Sequence, residues 1–458
     1  MNPKMWGGRF KKKTNAAFEY FSSSLAEDYK LAAFDIEASK VHCRALERAG
    51  IIGKASRARL VRAFDAIARD LAKHQGEFIE RKYEDIHSFL ESELLRRAGP
   101  DAKKLHAGRS RNDQVNQATR MYCKSAGGNL LRLIAEVQTA VVKQAKRHEG
   151  LVVAGTTHLQ KAQPILLSHQ FLSYVEALER SKERLEDSLK RVDVLTLGSG
   201  ALAGTSLAID RKWVARELGF GRISANSLDA VGSRDFVAEF VSALALLGVQ
   251  LSRMAEDFLI GQIDEIGWYD IPEDLCTGSS MMPQKKNPDF LELARGAAGI
   301  LVGNTVSLLV VTKGLPGSYN RDLQWDKKPL FDSVELVTQV LFLYRVFFEG
   351  LKVNAERARA SAEDAALCAT DVAEYLVTRG VSFREAHEKT GEWVRACAEK
   401  GLPLKAAGRG LLGRFFGKAA AGIPALLDPG ASVRRKKSLG GTSPAEVRRR
   451  IREWERRL

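Results

Sequence analysis

"HQFLSYVEALERSKERLEDSLKRVD", residues 169–193, decides the fold class. Phe171, Val175, Leu178, Leu185, Leu189 and Val192 recur at steps of three and four, with Lys182 breaking the stripe, while Glu183, Arg184, Glu186, Asp187 and Lys190 fill the opposite face. That is the 3.6-residue period of an amphipathic helix, and its length predicts a bundle helix. Residues 235–263 read as a second long helix, apolar nearly all round at "ALALLGV", and 296–311 as a third. A helix that is apolar all round must be surrounded by other helices, often ones completed by further subunits. Strand patterns are scarce, so a mainly α fold is expected.

Working outward, three consecutive regions are expected. Residues 1–110 carry shorter helices, 111–357 the long ones, and 358–458 the Gly/Pro breaks "KGLPLKAAGRGLLG" and "LDPGASVRRKKSLGGTSP" followed by a basic helix. Thr442 or Ser443 before Pro444 and Glu446 reads as the N-cap of that last helix. No internal repeat or low-complexity tract stands out.

A chain of 458 residues, 45% hydrophobic and 28% charged, has an ordinary soluble balance. The N-terminal "MNPKMWGGRFKKK" has charge but no apolar leader segment. The apolar runs from Phe240 and over 296–311 read as too short, or too interrupted by Asn304, Thr305 and Ser307, to span a bilayer, so a cytoplasmic protein without membrane contact is expected. Five scattered cysteines without a Cys-x-x-Cys pair argue against a disulfide framework and a structural zinc site. Of the net charge of +15, ten units lie after residue 400, where 14 Lys and Arg face 4 Asp and Glu. With no zinc finger, RNA-recognition signature or aromatic-basic interleaving beside it, that charge reads as a solvated basic face, and nucleic acid as an unlikely partner.

Five polar segments sit where a bundle prefers apolar residues: "EDIHS" (84–88), "HAGRSRNDQVN" (106–116), "GTTHLQKAQP" (155–164), "TGSSMMPQKKNPD" (277–289) and "GLPGSYNRDLQWDKK" (314–328). In the fourth, Gly278 and two serines let backbone amides face a common concavity, with Lys285 and Asn287 adding donors, although a Pro-bounded surface loop has the same composition. Arg109 and Arg111 beside Ser110 and Asn112 supply the planar forks that fit carboxylates, with Asp113 read as a helix-surface ion partner for one of them. His158, beside two threonines, is a candidate for proton transfer near neutral pH; His87 and His106 are weaker ones. The inventory holds anion grips and a titratable imidazole, without a metal-ligand cluster, nucleotide loop or dinucleotide fingerprint, and fits cofactor-free proton transfer on a multiply carboxylated substrate.

Together these motifs resemble the aspartase/fumarase superfamily, through the Gly-Ser-Ser-x-Met-x-x-Lys-x-Asn pattern at 278–287, and within it the argininosuccinate lyase family. The finer likeness rests on "WGGRF" at Trp6, "HAGRSRNDQV", "TTHLQKAQP", "GALAGT" at Gly200, "NSLDAV" at Asn226, "MPQKKNPD" and the 314–328 segment. The resemblance implies a three-domain lyase whose central bundle forms the core of a homotetramer with shared active sites. It also implies reversible β-elimination of argininosuccinate to arginine and fumarate, without cofactor or metal. Ser279 is then the favoured base, His158 the acid or the residue that orients a water, Glu292 the carboxylate paired with it, and Lys285 with Asn287 the donors to an aci-carboxylate. The reverse assignment of Ser279 and His158 fits the sequence too. Substrate binding carries over to Ser24, Asp28, His87, Ser110, Arg111, Asn112, Thr157, Tyr319, Gln324 and Lys327. Another lyase of the superfamily, or a crystallin-like structural protein, are the alternatives. Three positions depart from the family pattern: Trp325 and Ser233 stand where acids are usual, and Thr196 where proline is.

Overall fold

The computed structural model describes residues 14–73 and 83–458; the "WGGRF" motif lies outside the described residues. The chain is mainly α, as the periodicity requires. Five long helices dominate: α1 (Arg111–Arg147), α2 (Leu167–Val192), α3 (Asp235–Gln262), α4 (Asp289–Thr312) and α5 (Lys327–Gly350). The stripe read in residues 169–193 is the buried face of α2, where Phe171, Val175, Leu178, Leu185 and Val192 lose almost all contact with water.

Two compact units divide the chain: residues 1–131, 183–246 and 299–337 in the first, and 132–182, 247–298 and 338–458 in the second. The division falls inside each of the five long helices.

Polar clamps join distant segments of the first unit. Arg234, just before α3, pairs with Asp326, just before α5; neither side chain has measurable exposure, and Lys327 Nζ lies 3.1 Å from the other Asp326 oxygen. Two of the departures from the family pattern meet in a neighbouring network. Thr196 Oγ1 and Arg120 Nε both donate to Asn116 Oδ1 (2.8 Å each), Asn116 Nδ2 donates to Ser233 O (2.9 Å), and Arg120 Nη2 donates to Ser233 Oγ (3.0 Å). Thr196 N also donates to Gln117 Oε1 at 2.8 Å, a bond that proline could not make. Arg120 thus rests on neutral acceptors and on the Phe236 ring, 3.9 Å away; burial, then repulsion from Arg234, lowers its pKa to about 10.

In the second unit, Phe258 of α3 is fully buried among Phe171, Tyr174, Tyr269, Phe347 and Phe348, with ring centroids 4.8 to 6.4 Å apart. Strands β1 (Val152–Thr157) and β2 (Gln160–Leu166) form an antiparallel hairpin, kinked between Gly155 and Thr156. The terminal helix α6 (Pro444–Arg457) starts at Ser443, whose Oγ accepts from Glu446 N (3.4 Å). Its basic side chains are not simply solvated: Arg450 and Arg457 pair with Glu176 and Glu179, and Arg448 with Glu149.

The run from Phe240 lies in a helix of the length read from the sequence, whereas the run over 296–311 lies in one that extends back to Asp289. α3 and α4, of 28 and 24 residues, are each long and apolar enough to cross a membrane by length and composition. α3 is largely buried, whereas α4 leaves Leu293, Ile300, Val302, Val306, Leu309 and Val310 on the surface.

The clamps predict opposite effects for two carboxylate changes. Asp326→Ala strands Arg234 without its counter-charge and is expected to cost about 3–5 kcal/mol. Ser233→Asp places a carboxylate beside Arg120 and is expected to gain about 1 kcal/mol. Urea unfolding of the two variants against the parent measures both.

Candidate functional site

Several of the expected binding residues of the first unit, among them Ser24, His87, Arg111, Asn112 and Lys327, sit at helix N-termini, where backbone N–H groups are unpaired and carboxylates are favoured. Ser24 Oγ donates to Asp28 Oδ2 (2.6 Å), and Ile86 N donates to Asp28 Oδ1 (3.1 Å). Burial, then the neighbouring charge of Asp85, pushes the Asp28 carboxyl up to about 7 against the opposing pull of Lys327. Asp85 caps helix Ile86–Ala98 by accepting from Ser88 N (2.6 Å), and Arg111 Nη1 lies 3.5 Å from it. Asp28, Asp85, Arg111 and Lys327 therefore form one charge cluster with two carboxylates and two cations. Gln324 Nε2 donates to Ser22 O (3.0 Å), which ties the 314–328 segment to the chain just before Ser24. Tyr319 is half-buried beside Ser318, which holds a left-handed φ of 73°.

His87 is placed differently. Its ring is buried, and Nδ1 pairs with Asp35 Oδ2 at 2.8 Å. Asp35 also accepts from Gln114 Nε2 and Ser39 Oγ, and Arg109 Nη1 donates to Ser39 Oγ (2.8 Å). His87 Nε2, Arg109 Nε and Gln114 Oε1 have no hydrogen-bond partner in the structure, and their residues line one small cavity with Glu91 and His106. Burial, then the Arg109 charge, lowers His106 to about 4, so its ring is neutral near pH 7.

At the start of α1, Asn112 N donates to Ser110 Oγ (3.3 Å) and Asn112 Nδ2 to Ala201 O (3.1 Å). Asp113 is not the surface ion partner that its sequence context suggested. It is wholly buried and accepts three backbone bonds, from Ser110 N (2.8 Å), Gly198 N (3.1 Å) and Gly200 N (2.9 Å). Sequence reasoning also missed Asp35 and Asp85. Asp35 falls next to Ile36 on the buried face of helix Ala32–Arg48, a carboxylate on an apolar stripe, which is the signal that could have found it.

The second unit holds the expected proton-transfer groups. Thr157 ends β1, and His158 with Leu159 forms the two-residue hairpin turn, both in the left-handed region at φ 55° and 59°. Such a turn favours Asn-Gly, so two non-glycine residues there store strain of the kind that concentrates at functional sites. Both side chains are exposed. The Ser279 loop is closed at its base by β3 (Thr277–Gly278) and β4 (Lys286–Asn287), paired antiparallel. Ser279 Oγ accepts from Met281 N (3.3 Å) and Met282 N (3.0 Å). Asn287 Nδ2 makes only long bonds, to Gly278 O (3.4 Å) and Thr277 Oγ1 (3.5 Å), while Lys285 and Glu292 are exposed. Among the described residues no hydrogen bond joins His158 to Glu292 or to Ser279, and no cluster of three His, Cys, Asp or Glu side chains is disposed to hold a metal ion.

Comparison with known proteins places this geometry. Residues 8–303 match a family model described as lyase, and residues 366–434 one described as argininosuccinate lyase C-terminal. The argininosuccinate lyase of Sulfurihydrogenibium sp. (strain YO3AOP1) is 42% identical over 456 residues, covering 99% of both chains. That of Syntrophus aciditrophicus (strain SB) is 44% identical over 452 residues, covering 99% of this chain and 96% of its own. Among solved structures, EDDS lyase in complex with formate superposes with a TM-score of 0.83 at 28% identity, covering 96% of this chain and 88% of its own. The class II fumarase of Schistosoma mansoni shares the fold alone, with a TM-score of 0.76 at 15% identity over 90% of this chain and 91% of its own. With its motifs in place and its full-length relatives above 40% identity, the chain belongs to the argininosuccinate lyase family.

Proposed function

We propose that this chain catalyses the reversible β-elimination of argininosuccinate to L-arginine and fumarate, in arginine biosynthesis in the cytoplasm. The observation that carries the mechanism is the pair of backbone amides on Ser279 Oγ. A serine oxygen acts as a base only as its alkoxide, and two N–H donors already aimed at it stabilise that charge before the reaction begins.

As alkoxide, Ser279 takes the proton from the carbon beside a carboxylate of the succinyl half. The released electron pair moves into that carboxylate, giving the aci-carboxylate dianion. Lys285 and the weakly engaged Asn287 supply donors to its oxygens, in a loop that must close and exclude water to make them effective. The bond from carbon to the guanidino nitrogen then breaks as His158, which Glu292 of another copy would pair in the assembled site, delivers a proton to the leaving nitrogen. Arg111 and Lys327 meet substrate carboxylates. Asp28 and Asp85 suit its cationic half, with Ser24, Ser110, Asn112, Thr157, His87, Tyr319 and Gln324 completing or supporting the site. In the synthetic direction His158 and Ser279 exchange roles by microscopic reversibility.

The working form is a homotetramer with shared active sites. The apolar surface of α4 supports this reading: six large aliphatic side chains between Leu293 and Val310 stay in water unless other copies cover them.

Two measurements test the proposal. Argininosuccinate added to the purified protein should release fumarate, followed by its ultraviolet absorbance, and Ser279→Ala should slow release by about 10² to 10⁴-fold with assembly unchanged. Turnover of adenylosuccinate or hydration of fumarate, with none of argininosuccinate, would reassign the substrate. Val306→Asp, on the exposed face of α4, is expected to dissociate the tetramer in light scattering and abolish turnover while helix content is retained.

A further inference from the structure

The "GALAGT" turn matches the family pattern, yet the chemistry above gives it no task. It begins at Gly200 and leaves Ala201, Leu202 and Ala203 exposed to solvent. Three glycines with left-handed φ shape it: Gly198 (87°), Gly200 (61°) and Gly204 (79°). A Cβ on Gly200 would stand 2.6 Å from Gly204 O, so the turn is closed on itself. Two side chains from the start of α1 hold it. Asp113 Oδ2 accepts from Gly198 N and Gly200 N, and Asn112 Nδ2 donates to Ala201 O. The other oxygen of Asp113 accepts from Ser110 N, the reciprocal half of a cap in which Ser110 Oγ accepts from Asn112 N.

One buried carboxylate therefore spans two segments about 85 positions apart in sequence, and the two residues between its cap partner and itself are Arg111 and Asn112. A buried carboxylate needs donors that stay in place, and three backbone amides are the least mobile a chain can offer. The consequence is geometric: the direction in which Arg111 and Asn112 leave the helix is set by a group that touches no substrate.

We propose that Asp113 is a positioning residue that fixes Arg111, Asn112 and the 198–204 turn as one rigid wall of the argininosuccinate site. The inference rests on the substrate-binding reading of Arg111 and Asn112. It predicts that losing the Asp113 charge weakens substrate binding more than it slows the chemical step, because Ser279 and His158 lie elsewhere in the chain.

The pH behaviour follows with a definite sign. Burial, opposed by the Ser110, Gly200 and Gly198 amides and by Arg109, leaves the Asp113 carboxyl raised to about 6. As pH falls through that value the group takes up a proton and one oxygen ceases to be a charged acceptor, so KM rises on the acid side. The charged groups facing it are the guanidiniums of Arg109 and Arg211.

The test is steady-state kinetics on the full-length enzyme with argininosuccinate between pH 5 and 8. Asp113→Asn is expected to raise KM about tenfold or more with a smaller change in kcat, and to flatten the acid rise in KM. Gly200→Ala displaces the turn without touching the helix cap, and is expected to raise KM in the same way even if Asp113→Asn does not fold. Arg111→Ala and Asn112→Ala are the reference. If both raise KM while Asp113→Asn and Gly200→Ala leave KM and its pH profile unchanged, the positioning role is overturned and the substrate reading stands. If Arg111→Ala and Asn112→Ala leave KM unchanged, the substrate reading of those residues fails and the inference falls with it.

Discussion

The first unit depends on a single wholly buried carboxylate, Asp326, shared between Arg234 and Lys327. Removing these charges from water is expensive, and an apolar trio would pack at lower cost, so the contribution of the ion pair lies in register more than in net stability. It locks the residue before α3 to the residue before α5 and brings Lys327 into reach of the Asp28 field. The same device recurs nearby: Asp113 joins the start of α1 to a turn 85 positions on, Asp28 joins Ser24 to Ile86, and Asp35 joins His87 to Gln114. A bundle of long helices is well determined along its apolar stripes and poorly determined at its ends. Directional bonds to buried carboxylates supply the precision there that van der Waals packing cannot.

The second unit solves a different problem. Its expected proton-transfer groups sit on short elements, a hairpin turn and a loop, and not inside long helices. His158 lies at the tip of a hairpin in a conformation that asparagine and glycine adopt more readily, and Ser279 lies on a loop anchored by two residues of pairing at each side. Neither side chain is buried, yet both are constrained through the backbone, by left-handed φ in one case and by two amides on the hydroxyl oxygen in the other. Packing holds the base of the hairpin, where Ala154 is buried with Ala362 and Leu367, and leaves its tip exposed.

How much of this could be read from the sequence follows from the range of the interactions. α2 and α3 were legible because helical periodicity is local, and the Ser443 cap because its residues are adjacent. The β1–β2 hairpin was not, since "VVAGTT" and "QKAQPIL" lack alternation and His-Leu is not a turn dipeptide. Asp113 read as a surface charge because its burial depends on Gly198 and Gly200. The arginines of α6 read as solvated because their partners, Glu149, Glu176 and Glu179, lie some 270 to 300 residues earlier. Motifs single out Ser24, Asp28, Arg111 and Lys327 as expected binding residues, but that they lie in one charge cluster with Asp85 required the fold.

The family-pattern departures show how such a site tolerates change. Thr196 and Ser233 converge on Asn116 and Arg120, where a hydroxyl supplies one bond to Asn116 and a neutral oxygen replaces a carboxylate beside Arg120. The charge lost at 233 leaves the clamp on Asp326 untouched. Trp325, where an acid is usual, is half exposed and tilts against Phe21 with ring centroids 6.0 Å apart. Phe21 precedes Ser22, whose carbonyl accepts from Gln324 and Arg321. The aromatic pair therefore replaces an electrostatic contribution with an apolar one on the same two segments, while Gln324 is held by Ser22 O and Lys327 by the Asp326 carboxylate, neither bond using the Trp325 side chain.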